Sequence, residues 1–68
     1  MKNSPQEIGK SVKKRRQAVG ITQQNLALVS GTGVRFIVDL EKGKPTCHWG
    51  KVLAVLDALG LQVVLESR

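Results

Sequence analysis

Chemistry in a short chain needs a nucleophile, a base or a set of ligands, and the candidates here are few. Cys47 and His48 are the single cysteine and single histidine, and they are adjacent, with Trp49 next. One thiol cannot close an internal disulfide. A structural zinc site takes four ligands, and these two residues supply only two. No carboxylate pair, Ser/His/Asp set or phosphate-cradling glycine loop accompanies them, so no metal, no cofactor and no enzyme activity are expected. The simpler role for Cys47 is a small packed residue. For Trp49 it is packing, with a protein interface as the other option, since Trp is enriched where interfaces concentrate their energy.

The other chemistry on offer is charge. The chain has 68 residues and a formal charge of +6. Residues 1–44 hold nine Lys/Arg (Lys2, Lys10, Lys13, Lys14, Arg15, Arg16, Arg35, Lys42 and Lys44) against Glu7, Asp39 and Glu41, whereas residues 45–68 balance Lys51 and Arg68 against Asp57 and Glu66. An excess confined to one part of the chain suits a polyanion such as nucleic acid better than a general need for solubility. The run "KKRR" at 13–16 spans a whole helix circumference, so some of it is a solvated face whose long stems cover apolar surface.

Those charges must be positioned by a fold of modest size. A chain this short is one domain and buries only ~60% of its unfolded surface, so helix packing and self-association must stabilise it. "MKNSPQEIGK" lacks the apolar core of a signal peptide, no run is as long as a membrane span, and the free cysteine suits a reducing compartment. A cytoplasmic location and no membrane are expected.

Local signals outline the elements. Ser4-Pro5-Gln6-Glu7 reads as an N-cap, a proline at the first helical position and an acid at the third, opening a helix over 5–19 that Gly20 closes. Ile8, Val12 and Val19 are its apolar positions. Thr22 caps a second helix over 23–29, with Leu26, Ala27 and Val29 inward. Gly31-Thr32-Gly33 breaks the chain, and a third helix over 34–41 turns Phe36, Ile37 and Leu40 inward until Gly43 and Pro45 end it. Thr46 caps a fourth, with Val52, Val55, Leu56 and Leu59 buried and Gly60 at its end. "LQVVLE" then alternates Leu61, Val63 and Leu65 with Gln62, Val64 and Glu66, a period of two that predicts a strand. Its backbone needs a partner, and the same strand of a second copy, related by a two-fold axis, supplies one.

The second and third helices are too short to persist alone in water. Joined by a glycine turn in "TQQNLALVSGTGVRFIVDLEKG", they carry the spacing of a helix-turn-helix, in which a short helix enters the major groove. "TQQNLA", Gly31, Ile37, Glu41 and Gly43 resemble the phage-repressor-like, XRE-type helix-turn-helix family across about residues 7–60. "LEKGKP" and "LDALGLQVVLE" resemble, more narrowly, the HipB-type antitoxins.

The resemblance implies an all-α, lambda-repressor-like bundle of four to five short helices plus one C-terminal β-strand. Residues 1–60 would form the DNA-binding domain and residues 61–68 the dimerisation strand, with Leu61, Val63, Val64 and Leu65 at the homodimer interface. It implies double-stranded DNA with an inverted-repeat operator, a HipA-like serine/threonine kinase toxin as partner, and repression of the shared operon. Position by position, it implies a phosphate contact for Gln23, which also orients a side chain of the third helix. It places Thr32 and Gly33 near phosphate and Lys42 and Lys44 on the backbone. Val34, Arg35 and Asp39 face bases: Arg35 through the fit of its fork to guanine, Val34 on a thymine methyl, and Asp39 either accepting from cytosine or holding Arg35. Glu41 pairs with Arg15 or Arg16. Gly33 departs from the family in lacking a capping side chain, and Val38 is apolar where relatives are often polar. The rival reading is a stand-alone phage-type or restriction-modification controller repressor without a toxin; a basic peptide lying on membranes fits the capped short helices poorly.

Overall fold

The computed structural model describes residues 4–45 and 48–62. Its elements are α1 (Pro5–Val19), α2 (Gln23–Ser30), α3 (Val34–Glu41) and α4 (Trp49–Ala58). Among the described residues there is no strand, and no helix is long and apolar enough to cross a membrane.

The boundaries follow from local chemistry. The Ser4 hydroxyl accepts from the Glu7 amide at 3.2 Å, with Pro5 next in line, so one orphan donor of α1 is satisfied and another is missing by construction. At the far end Gly20 is left-handed and its amide donates to the Arg16 carbonyl at 2.9 Å. Thr22 repeats the capping at α2, accepting from the Asn25 amide at 3.0 Å.

The core is Ile8 and Val12 from α1, Leu26 and Ala27 from α2, Ile37 and Leu40 from α3, and Val52, Val55 and Leu56 from α4, closed by Leu59. Ile21, Phe36 and Leu61 pack around it. α3 lies against both α1 and α2, and α4 lies against α2. Each short helix therefore has a partner behind it, and packing of this kind is worth ~1.5–3 kcal/mol for each fully buried aliphatic side chain. Gly9 lets α1 approach closely: a Cβ there would run into the Leu40 carbonyl oxygen and lie 3.0 Å from that of Glu41.

Two valines expected inside are outside. Val19 is 52% exposed because it is the last residue of α1, about two turns beyond the segment that buries Ile8, Gly9 and Val12. Val29 is 65% exposed. Successive helical residues turn by about 100°, so Val29 lies about 200° around from Ala27, away from the buried side. α4 also starts later than expected. It begins at Trp49, and the Lys51 and Val52 amides donate to the His48 carbonyl, which makes His48 the cap position; Thr46 and Cys47 lie outside the described residues.

The C-terminal expectation is only partly visible. Leu61 and Gln62 are not in a strand; Leu61 packs on the core of its own chain, its amide held by the Leu56 carbonyl at 2.8 Å. Leu61 thus closes the end of α4. Val63, Val64 and Leu65 lie outside the described residues.

Candidate nucleic-acid interface

The turn between α2 and α3 is held by its own hydrogen bonds. The Thr32 amide donates to the Ala27 carbonyl at 2.9 Å, and Gly31 takes φ +70°, the left-handed region that a side chain would disfavour. Ser30 Oγ donates to the Leu26 carbonyl at 2.7 Å and lies 2.9 Å from Thr32 Oγ1. A hydroxyl has one proton. With that of Ser30 on Leu26, Thr32 is the donor to Ser30 and keeps only acceptor capacity toward the outside. Its hydroxyl therefore donates to a phosphate only by releasing Ser30. Ser30 was not among the expected site residues; the signal for it is a serine in the last turn of a helix, positioned to bond back to the carbonyl four residues earlier.

Gly33 is the N-cap of α3, extended at φ −107° and ψ 155°, with no side-chain cap. The first-turn amides of α3 consequently have no side-chain acceptor and are the donors available to an anion at this end. From this start α3 buries Ile37 and Leu40, while Val34 is 43% exposed and the Arg35 side chain 83% exposed. Asp39, one turn on, lies with Oδ2 3.6 Å from Arg35 Nε and Oδ1 3.7 Å from Lys44 Nζ. Lys42 is exposed at the C-cap. Arg35, Asp39 and Lys44 are thus one charged cluster.

Gln23 is placed differently. Its Nε2 donates to Glu41 Oε1 at 3.1 Å, which joins the start of α2 to the end of α3. A carboxylate only accepts, so the amide nitrogen must face inward, leaving its second N–H and its oxygen for an outside partner. Glu41 is not part of the basic surface. Arg16, rather than Arg15, is its partner: Nε at 2.7 Å on Oε2 and Nη2 at 3.1 Å on Oε1, with Nη1 on the Ile21 carbonyl at 3.0 Å. The hydrogen bonds to Glu41 hold the Arg16 guanidinium above its ordinary value; burial opposes this, and the Glu41 charge adds to it. Arg15 instead donates from Nε to the Leu59 carbonyl at 3.0 Å, closing the end of α4.

Two short helices packed together, a tight glycine turn, an exposed arginine at the front of the second helix and lysines beyond it define a helix-turn-helix domain. No family model matches the chain. It is 50% identical over 60 residues to an uncharacterized HTH-type transcriptional regulator, y4mF, of Sinorhizobium fredii; the match covers 88% of this chain and 79% of that protein. In fold it is similar to the restriction-modification controller protein C.AhdI of Aeromonas hydrophila, with a TM-score of 0.75 over 85% of this chain and 84% of that one, at 24% identity. The chain belongs to the HTH-type transcriptional regulators.

Proposed function

We propose that this chain is a sequence-specific repressor that works in the cytoplasm as a homodimer on an inverted-repeat operator, without a toxin partner. The observation that carries the reading is Arg35, presented almost fully exposed at the front of α3 while α1 and α2 hold that helix from behind. Val34 accompanies it toward the bases, Asp39 governs how the arginine is presented, and Lys42, Lys44, Gln23 and the Thr32–Gly33 turn meet the backbone. Two copies set two recognition helices ~34 Å apart, one DNA turn, and exclude polymerase from the promoter they cover. The likeness in fold to a restriction-modification controller supports a stand-alone regulator.

A second reading makes the chain the antitoxin of a HipA-like kinase that also represses its own operon. It is favoured by "LEKGKP" and "LDALGLQVVLE". Leu61, expected in the dimer strand, is half-buried against the core of its own chain and in no strand, so the strand that distinguishes the antitoxin group has no support at this residue. Purification of the tagged protein from its own cells separates the two. Retained promoter DNA with no stoichiometric protein supports the stand-alone repressor. A kinase recovered in equal amount overturns it in favour of the antitoxin.

A further inference from the structure

Asp39 sits where an acidic residue should be unwelcome, on the surface offered to a polyanion. Its two carboxylate oxygens are divided between two cations: Oδ2 lies 3.6 Å from Arg35 Nε and Oδ1 3.7 Å from Lys44 Nζ. The second pairing is built into the backbone. After α3 the chain turns back at Gly43, φ +84°, and the Lys44 amide donates to the Asp39 carbonyl at 3.1 Å, which returns Lys44 over the carboxylate. Arg35 and Lys44 are 83% and 61% exposed, so both are open to phosphate, while Asp39 is only 30% exposed.

We propose that Asp39 is a positioning residue that sets sequence discrimination, by occupying Arg35 and Lys44 so that neither binds phosphate indiscriminately. This rests on the DNA-binding reading above. The geometry makes the effect selective. Arg35 approaches Asp39 most closely with Nε, and its terminal Nη1/Nη2 edge is the one that fits guanine O6 and N7. A guanine is therefore read with the ion pair intact. A phosphate contact through the Nε edge, or through Lys44, must displace the carboxylate first. Sequence-independent contacts bear this cost and the base contact does not. The carboxylate also repels any phosphate brought close to it.

The test compares wild type, Asp39→Asn, Asp39→Glu and Asp57→Asn. Asp57 is exposed on α4 outside the helix-turn-helix, so its replacement removes the same charge without touching the cluster. Two duplexes are used: a 20-base-pair DNA of mixed sequence, and the sequence that wild type enriches from a random pool. Affinities are measured by fluorescence anisotropy over a salt series. Each newly engaged phosphate steepens the logarithmic salt dependence by ~0.9, so Asp39→Asn is expected to steepen it by about one to two on the mixed duplex. Its affinity there should rise about tenfold while that for the selected duplex rises less than about threefold, so discrimination falls by about threefold or more. Asp39→Glu should retain discrimination. Asp57→Asn should shift both duplexes by the same small factor. If Asp39→Asn steepens the salt dependence no more than Asp57→Asn does, the proposal is overturned. A wild type that enriches no sequence overturns the sequence-specific reading instead, and the comparison on the mixed duplex still decides the role of Asp39.

Discussion

Glu41, the last residue of α3, receives Nε and Nη2 of Arg16 from α1 on its two oxygens, at 2.7 and 3.1 Å. The carboxylate is 4% exposed and the guanidinium side chain 12%. Glu41 Oε1 also accepts from Gln23 at the start of α2. One carboxylate thus fixes both helices of the helix-turn-helix to the helix behind them.

Truncating one partner of a nearly buried pair strands the other, at a cost of about 3 kcal/mol or more. A chain this size has a total stability of only ~3–10 kcal/mol. Glu41→Ala is therefore expected to lose a large part of its stability, read as a much lower midpoint in urea titration at about 25 °C. Arg16→Met combined with Glu41→Leu should recover much of the loss, because no charge is left buried alone. A Glu41→Ala protein as stable as its parent would show the pair to be incidental.

The pair also sets a pH expectation. The Arg16 pKa is raised in the folded chain, first by its hydrogen bonds to Glu41. A raised folded value gives stability that is complete below the unfolded value and fades only as pH rises through the folded one. For arginine that window lies far above the neutral range. Loss of Arg16 charge should contribute no change in urea midpoint between about pH 6 and 9, and Arg16→Lys should leave this flatness intact while lowering stability.

Gly9→Ala tests the helix contact. The added Cβ would collide with the Leu40 carbonyl oxygen and approach the Gly43 nitrogen to 3.1 Å, both of them backbone atoms that cannot rotate away. Despite the better helix propensity of alanine, the variant should lose about 1–3 kcal/mol, read as a lower urea midpoint.

Much of this was legible because it is local. Ser4, Thr22 and Gly20 act on amides and carbonyls within a few residues, so type and spacing suffice to place α1 and the start of α2. Burial is not local. Val19 and Val29 fit a helical period, yet which part of each helix is covered depends on where its neighbours cross, and nothing in the chain near them records that. Gly9 was silent for the same reason, since the carbonyl it makes room for is 31 positions away. Among the candidate interface residues, the exposed state of Arg35 and Val34 follows from the period of α3. The pairing of Asp39 with Lys44 does not, because it depends on how the chain folds back at Gly43. Leu61 alternates with its neighbours as a strand residue would, whereas its amide bond to the Leu56 carbonyl and its packing on the core depend on where α4 ends.

Gly33→Ser should improve the start of α3. Gly33 has extended backbone angles that any residue adopts, and a Cβ there meets nothing within 4 Å. A serine hydroxyl at the N-cap reaches an unpaired first-turn amide, worth a few tenths of a kcal/mol over glycine. The thermal midpoint should rise by about 1–3 °C for a domain of this size. A lower midpoint would mean that the turn is more tightly constrained than its dihedral angles indicate.

Selection from a random duplex pool shows whether α3 reads DNA through Arg35. Wild type and Arg35→Ala are taken through the same rounds, and both are titrated against the wild-type consensus at fixed salt. Arg35→Ala is expected to bind that consensus about 1–3 kcal/mol more weakly and to tolerate any base at one position per half-site. An Arg35→Ala protein that binds the consensus as tightly as wild type, with the same base preferences, would contradict it.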